Sequence, residues 1–173
     1  MSKKMITPQT LLYPVPVVMV SSGTETSRNI ITVAWAGVVC SDPPMVGIGI
    51  RPSRYSHELI SQQGEFVVNI PLASQLDAVK VCGGATGRGR DKFRDAGLHA
   101  AAASIVKAPL ISECPVNLEC QVRQVVKLGS HDLFLAEIVA IHASEEVLDA
   151  YGRIDPAKAK PLGYISGEYW TGH

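Results

Sequence analysis

Alternation of apolar and polar residues predicts β-strands along much of the chain. The clearest case is 116–123, where every second residue is apolar, as in a strand with one face in the core and the other in water. A second strand is predicted at 133–141, and the Gly129-Ser130 step between the two has hairpin-like spacing. Residues 29–40 are mostly β-branched or small, without helical spacing, and predict one long strand.

Shorter segments complete the predicted secondary structure. Asp42-Pro43-Pro44 predicts a turn, and Ser53 and Gly64 are placed to begin and end a helix. Strands outnumber helices, and the helices are short insertions, so the pattern favours an antiparallel β-barrel over a parallel doubly wound sheet. The further predicted strands are 15–21, 45–50 and 65–70, and the predicted helices are 53–63 and 74–82.

Length and charge narrow the class of protein. The chain has 173 residues, 46% of them hydrophobic, which predicts one domain over 1–173 and excludes intrinsic disorder. Sixteen basic residues balance sixteen acidic ones, so there is no electrostatic reason to bind nucleic acid or an anionic membrane. So low a charge on an apolar chain also suggests that a second subunit covers part of its surface.

The cysteines and the start of the chain predict a cytoplasmic location. The cysteines at 40, 82, 114 and 120 form no C-x-x-C pair, and no histidine completes a zinc pattern; we expect four reduced thiols. Lys3 and Lys4 precede an apolar stretch, but prolines interrupt it and no cleavage site follows, so we predict no signal peptide. No run of 18 apolar residues predicts a membrane span.

Two segments are candidates for binding an anion. The helix start at 51–56 combines free amides with Ser53, Ser56 and two arginines, which suits a phosphate, although an ordinary helix start has the same composition. The glycine-rich loop at 83–90 lacks the Lys-Ser/Thr of a Walker A loop. It is either a flexible loop with solvated arginines or a lid that brings Arg88, Arg90 or Lys92 to an anionic ligand.

A third candidate lies on the long predicted strand. Asn29 and Thr32, followed by Ala34-Trp35-Ala36-Gly37, could offer hydrogen bonds to a flat heterocycle beside small residues. The alternative is that Thr32 is present because β-branched residues suit strands. No G-x-S-x-G elbow predicts a hydrolase, and the histidines show no metal-binding spacing.

Four segments in order, 29–71, 82–93, 129–141 and 161–170, resemble the flavin reductase-like FMN-binding family, and flavoredoxins in particular. The resemblance implies an FMN-binding split barrel, a mainly β, Greek-key antiparallel barrel with short helical insertions. It also implies a homodimer with the flavin near the subunit interface. The site residues that it implies are Asn29, Ile30, Ile31, Thr32, Ala34, Arg51, Ser53, Arg54, Ser56 and Lys92.

The resemblance also implies a role for each group. The strand at 29–32 lies beside the isoalloxazine, with the hydroxyl or amide of Thr32 nearest to its N5 atom, and Ala34 and Trp35 continue this wall. Ser53, Arg54 and Ser56 bind the phosphate with help from Arg51. Lys92 reaches the flavin or its phosphate from a mobile loop.

The implied function is redox chemistry through bound FMN. Electrons would come from NAD(P)H or from a ferredoxin-type iron–sulfur protein, which leaves open whether the protein is a reductase or a non-catalytic carrier. The alternative from another class is a non-redox split barrel that binds haem or another planar ligand, with His131 or His57 as axial ligand. The hydroxyls and arginines at 51–56 favour a phosphate-bearing ligand.

Overall fold

The computed structural model describes residues 1–171, which form β-strands joined by short helices. The strands are β1 (Val15–Pro16), β2 (Val18–Thr24), β3 (Ser27–Val33), β4 (Ala36–Ser41), β5 (Pro44–Ile50), β6 (Glu65–Ile70), β7 (Ala100–Ala101), β8 (Leu110–Ile111), β9 (Val116–Lys127), β10 (Asp132–Ala143), β11 (Leu162–Ile165) and β12 (Glu168–Thr171). The α-helices are α1 (Tyr55–Gln63), α2 (Leu76–Gly84), α3 (Lys92–Asp95) and α4 (Pro156–Ala159), and 3₁₀ turns lie at Ala73–Gln75 and Glu145–Val147.

Seven strands form one sheet in the order β3-β2-β6-β9-β10-β5-β4, and each neighbouring pair is antiparallel. The edges of this sheet are therefore β3 and β4. Strands β1, β11 and β12 form a second sheet, and β7 pairs with β8. This arrangement confirms the predicted mainly β, antiparallel fold with short helical insertions.

Strands β2 and β3 are covered on both faces, which gives the molecule two apolar clusters beside one pair of strands. Val20 lies in the cluster with Phe66, Phe134 and Ile60 of α1. Its neighbour Met19 lies on the opposite face, in the cluster that contains parts of α2 and α3. Successive side chains of a strand point to opposite faces, so α2 and α3 pack on the outer face of this pair of strands.

The prediction of a single strand at 29–40 is wrong. It is two strands, because β3 pairs with β2 while β4 pairs with β5 at the opposite edge of the sheet. The chain changes partners at Ala34 and Trp35, where the Trp35 carbonyl accepts a hydrogen bond from the amide of Gly49 (2.8 Å). The predicted strand at 15–21 is likewise divided between β1 and β2, which belong to different sheets.

The predicted helices exist with shifted ends. The N-cap position of helix α1 is Arg54 and not Ser53, and no side chain makes a capping hydrogen bond there. Gly64 ends the helix as predicted, with φ +71°. Helix α2 begins and ends two residues later than predicted. The longest helices have nine residues, and within residues 1–171 no helix is long and apolar enough to cross a membrane.

A buried carboxylate fixes the segment that precedes β8 against the sheet. Glu119 of β9 is fully buried and accepts hydrogen bonds from the amides of Ser104, Ile105 and Val106 (2.7–2.9 Å) and from His142 Nε2 (2.6 Å). Burial on its own raises the pKa of this carboxyl, but the hydrogen bonds from His142 and the three amides outweigh burial and lower the pKa to about 2.

We predict that Glu119→Gln lowers the free energy of unfolding at pH 7 by about 2–3 kcal/mol, because the amide turns one acceptor into a donor that faces N–H groups. The folded-state pKa is depressed, so the stabilisation is present above pH ~4.5 and is lost as pH falls towards 2. Urea unfolding between pH 7 and pH 3 measures both effects. The control is Glu137→Gln, which removes an exposed ion pair with Arg123 and should cost less than about 1 kcal/mol. Equal losses in the two variants would show that the buried Glu119 carboxylate contributes no more to stability than the exposed Glu137–Arg123 ion pair.

Candidate functional site

Two connected hollows lie along the outer edge of β3. The larger is a cavity of about 810 Å³ and the smaller a pocket of about 110 Å³, and both are lined by Ile31, Thr32, Arg54 and Gly83. The shared residues place the pocket at one end of the cavity. A ligand with a flat body and a compact end group would fit such a shape.

The start of α1 forms one wall of the pocket. Ser53, Arg54, Tyr55 and Ser56 line it, and the amides of Tyr55 and Ser56 belong to the first turn, where no helical carbonyl can accept them. Among residues 1–171, no carboxylate lies within 4.0 Å of the guanidinium groups of Arg51 or Arg54. Free amides at a helix N-terminus beside an uncompensated cation form an anion-binding site.

Asn29 supplies the buried floor of the pocket. Its side chain is 2% exposed, and its Nδ2 donates to Ser56 Oγ at 2.8 Å. Its Oδ1 has no hydrogen-bond partner in the described part of the chain. A Cβ added to Gly87 would lie 2.0 Å from this oxygen, so only glycine lets the loop approach Asn29 this closely. This buried oxygen is therefore free to accept a hydrogen bond from a bound polar group.

Lys92 lines the same pocket, but it does not lie on a mobile loop as predicted. It is the first residue of α3, which Asp91 caps by accepting hydrogen bonds from the Phe93 and Arg94 amides. The ammonium group is buried and donates to the carbonyls of Ile30 (2.9 Å) and Cys82 (2.7 Å).

The Lys92 ammonium also adds charge to the pocket. Burial lowers its pKa, and the nearby positive charges of Arg54 and Arg90 lower it further. Two of its three N–H groups are used by the carbonyls, so one N–H remains for a ligand. The Cys82 thiol beside it has its pKa raised by burial to about 11, so it is not a reactive thiolate.

The two loop arginines that were candidates for an anion site are paired with acids. Arg88 Nη2 lies 2.6 Å from Glu58 Oε2, and Arg90 Nε lies 2.9 Å from Asp95 Oδ2. Both arginine side chains are about half exposed. Of the three loop cations named by the sequence, only Lys92 lines the pocket.

Thr32 is placed between the pocket and the cavity with its hydroxyl already engaged. The hydroxyl donates to the Val79 carbonyl of α2 at 2.6 Å. The Ile30 carbonyl points away from β2, towards Lys92, and alternate residues of a strand direct their backbone groups to the same side. The amide of Thr32 therefore points to the open edge of β3 and is the donor that this residue can offer a ligand.

The wall of the cavity beyond Thr32 contains Ala34, Trp35 and Arg51. The Trp35 side chain lies beside Gly49, and its ring centroid is 4.2 Å from that of His131. Burial lowers the pKa of His131, and the charges of Arg51 and Arg54 lower it further. The histidine is therefore a neutral partner for Trp35 at pH 7.

Sequence reasoning missed the opposite wall of the cavity. This wall consists of residues 9–13 together with Tyr164 and Tyr169, whose rings meet edge to face at 5.4 Å. Residues 9–13 carry no strand or helix pattern, so nothing in the sequence indicated their position. The β11–β12 hairpin had a usable signal in Ser166-Gly167, which adopts positive φ at both positions as a tight hairpin turn requires.

Nine of the ten predicted site residues line one of the two hollows. The exception is Ile30, whose side chain lies in the buried cluster with Met19 and Phe93; only its carbonyl, bonded to Lys92, faces the site. The nine are Asn29, Ile31, Thr32, Ala34, Arg51, Ser53, Arg54, Ser56 and Lys92.

The histidines give little support to a haem or metal site. His57 Nε2 is bonded to Asp132 Oδ2 at 2.8 Å, so this nitrogen is not available as an axial ligand. His131 lines the cavity, with its Nδ1 2.9 Å from Ser130 Oγ. No group of three or more His, Cys, Asp or Glu suited to a metal ion is found in residues 1–171.

Comparison with known proteins agrees with this geometry. The fold matches flavoredoxin of Desulfovibrio vulgaris (Miyazaki F) with a TM-score of 0.93 and 29% identity, covering 99% of this chain and 94% of that one. It matches flavoredoxin from Methanosarcina acetivorans with a TM-score of 0.92 and 30% identity, covering 100% and 92%. The sequence is 35% identical over 132 residues to NADH:riboflavin 5'-phosphate oxidoreductase of Streptomyces pristinaespiralis, covering 75% of this chain and 66% of that one.

The family model of the flavin reductase like domain matches residues 10–173. This match and the structural neighbours confirm the resemblance found in the sequence, and they support a flavin-related redox function. The chain belongs to the family of flavin reductase-like proteins and has their split-barrel fold.

Proposed function

We propose that this protein is an FMN-dependent redox protein that passes electrons or hydride between a donor and an acceptor. The observation that carries the proposal is the anion pocket at the start of α1, which opens along β3 into a cavity large enough for a flavin ring and a second molecule. FMN, when bound, supplies hydride or single-electron chemistry, and the protein supplies binding, orientation and electrostatics.

The pocket fits a terminal phosphate and the polar chain next to it. The amides of Tyr55 and Ser56, the Ser56 hydroxyl and the Arg54 guanidinium offer donors to a dianion. The partnerless Oδ1 of Asn29 can accept a hydrogen bond from a ribityl hydroxyl, which is the donor that a phosphate lacks.

The small size of the pocket supports FMN over FAD. Asn29, Ser56 and Lys92 form its buried side. Gly87 lies so close to Asn29 that a methyl group on residue 87 would collide with the Asn29 side chain. The phosphate monoester of FMN can end in this pocket. In FAD the same phosphate continues into a second phosphate and an adenosine, which would have to extend out of the pocket.

The remaining residues would orient the ring and set its environment. Thr32 offers its amide to the ring nitrogen N5, since its hydroxyl donates to Val79. The Lys92 ammonium places a positive charge beside β3, which favours an anionic reduced ring. Ile31 and Ala34 provide an apolar wall.

The electron donor is proposed from the relatives. A nicotinamide nucleotide is supported by the Streptomyces relative, whose name states NADH as its substrate. A ferredoxin-type iron–sulfur donor is the alternative that we propose, with the flavoredoxin-like fold as its support. In either case the cavity has room for the second partner's reacting group beside the ring.

An absorption spectrum followed by anaerobic addition of NADH or NADPH tests the function. A yellow protein that NAD(P)H bleaches at catalytic rates would be a reductase. A yellow protein reduced only by dithionite or by a ferredoxin would be an electron carrier. A colourless protein that also fails to take up added FMN would overturn the proposal.

A homodimer is also proposed, on the evidence of an apolar face at the free edge of the sheet. Within residues 1–171, no strand pairs with the outer side of β4, and the side chains of Val39, Leu133 and Leu135 gather over Gly47. Val39 is half exposed, as is Trp35, which continues this face towards the cavity. Exposed apolar side chains on a free edge strand are typical of a surface that a second subunit covers.

The four free cysteine sulfurs in the structure support the proposed cytoplasmic location, where thiols stay reduced.

Gly87→Ala should weaken FMN binding by at least about tenfold, about 1.4 kcal/mol. The new methyl group would lie 2.0 Å from Asn29 Oδ1 and force Asn29 or the loop to move. The control is Gly37→Ala, which adds the same group where no atom lies within 4 Å. Fluorescence titration with FMN measures both, and equal affinities for the two variants would rule out the pocket as the phosphate site.

Thr32→Val should shift the midpoint potential of bound FMN by less than about 15 mV, under 0.7 kcal/mol for a two-electron couple. The substitution keeps the shape of the side chain and the backbone amide but removes the hydroxyl bonded to Val79. A dye-equilibration titration gives the potential. A much larger shift would show that the hydroxyl, and not the amide, addresses the ring.

Val39→Lys should convert the dimer into a monomer, because it places a charge in the apolar face that Val39 forms with Leu133 and Leu135 over Gly47. Ser41→Lys is the control on the same strand, at an exposed polar position. Size-exclusion chromatography with light scattering reads the mass. Wild-type protein that elutes as a monomer would contradict the proposed dimer.

A further inference from the structure

A buried His–Asp pair joins the start of α1 to the start of β10. His57 Nε2 lies 2.8 Å from Asp132 Oδ2, and the two side chains are only 16% and 10% exposed. The His57 ring packs edge to face on Phe134 at 5.1 Å. With its hydrogen on Nε2, the ring donates to the carboxylate and leaves Nδ1 as an acceptor facing Ser61 Oγ at 3.5 Å.

The pair lies directly behind the anion pocket. His57 is the third residue of α1, in the same first turn as the Tyr55 and Ser56 amides. Asp132 follows His131, which lines the cavity, and it pairs across the sheet with Ile50, the residue before Arg51. The contact therefore connects the helix start to the strands that carry the other polar residues of the site.

The first turn of α1 makes exposed contacts between Tyr55 and Ser27 and between Glu58 and Arg88, and its buried contacts are fewer. The buried apolar residues of the helix are Leu59 and Ile60, which anchor its middle and not its start. No side chain caps the helix, and Arg54 is exposed. The buried polar contacts of the first turn are therefore the Asn29–Ser56 and His57–Asp132 hydrogen bonds.

We propose that Asp132, acting through His57, is a positioning residue for the phosphate of the flavin. By fixing the first turn of α1, the pair aims the amides of Tyr55 and Ser56 into the pocket. The pair thus favours phosphorylated flavin over riboflavin without touching the ligand. This inference rests on the proposed function and adds to it the residues that set the selectivity for phosphate.

The ratio of FMN affinity to riboflavin affinity is the appropriate readout, because riboflavin has the same ring and ribityl chain but no phosphate. Asp132→Ala should lower FMN affinity by about tenfold and riboflavin affinity by less than twofold. A general loss of structure would weaken both. Asp42→Asn, at an exposed turn between β4 and β5, is the control and should leave both affinities unchanged.

Variants of His57 separate positioning from packing. His57→Ala removes the donor and should match Asp132→Ala, whereas His57→Gln retains an N–H near the Nε2 position and should recover most of the FMN affinity. If Asp132→Ala does not fold, His57→Phe breaks the same contact, because its ring can still pack on Phe134 but has no N–H to donate to Asp132; it should lower FMN affinity about tenfold and riboflavin affinity by less than twofold.

Two results would overturn the inference. If wild-type protein binds FMN and the Asp132 variants lose FMN and riboflavin affinity equally, or lose neither, the pair does not position the phosphate, although the proposed function stands. If wild-type protein binds neither flavin, the proposed function fails, and this inference fails with it.

Discussion

The Lys92 ammonium is bonded to the carbonyls of Ile30 and Cys82, and the rest of the site depends on this contact. It joins α3, the end of α2 and the open edge of β3 at one point. A buried cation without such acceptors would be strongly destabilising. Because the carbonyls hold the ammonium in place, the loop between α2 and α3 must fold back over β3, and this brings Gly87 against Asn29.

The same arrangement explains why the pocket favours an anion. Arg88 and Arg90 are compensated by Glu58 and Asp95. Arg54 and the free amides of α1 are not compensated within the described chain. In the pocket, Arg54 and Lys92 therefore meet the free amides of α1, while the adjoining cavity combines the cations Arg51 and Lys80 with aromatic and small residues that suit a flat ring.

Local patterns in the sequence marked candidate site residues that lie close together in the chain, although they left an ordinary helix start and an ordinary strand open as alternatives. The helix start at 51–56 and the Asn29–Thr32 segment each contain their own chemical signal, and both line the site. The division of 29–40 into two strands was not predictable, because it depends on which distant strand each half pairs with. The contacts of His57 with Asp132 and of residues 9–13 with the cavity likewise join segments far apart in sequence. Asp91 could have predicted the start of α3 at Lys92, because aspartate is a common residue at the N-cap position of a helix.

The most direct test of the account is a parallel titration of the apoprotein with FMN, riboflavin and FAD, followed by flavin fluorescence at one salt concentration. The pocket predicts that FMN binds at least about tenfold more tightly than riboflavin, a difference of about 1.4 kcal/mol from the phosphate, and that FAD binds more weakly than FMN. Equal affinity for FMN and riboflavin would show that the pocket at the start of α1 does not bind the phosphate, and would contradict the proposed FMN site.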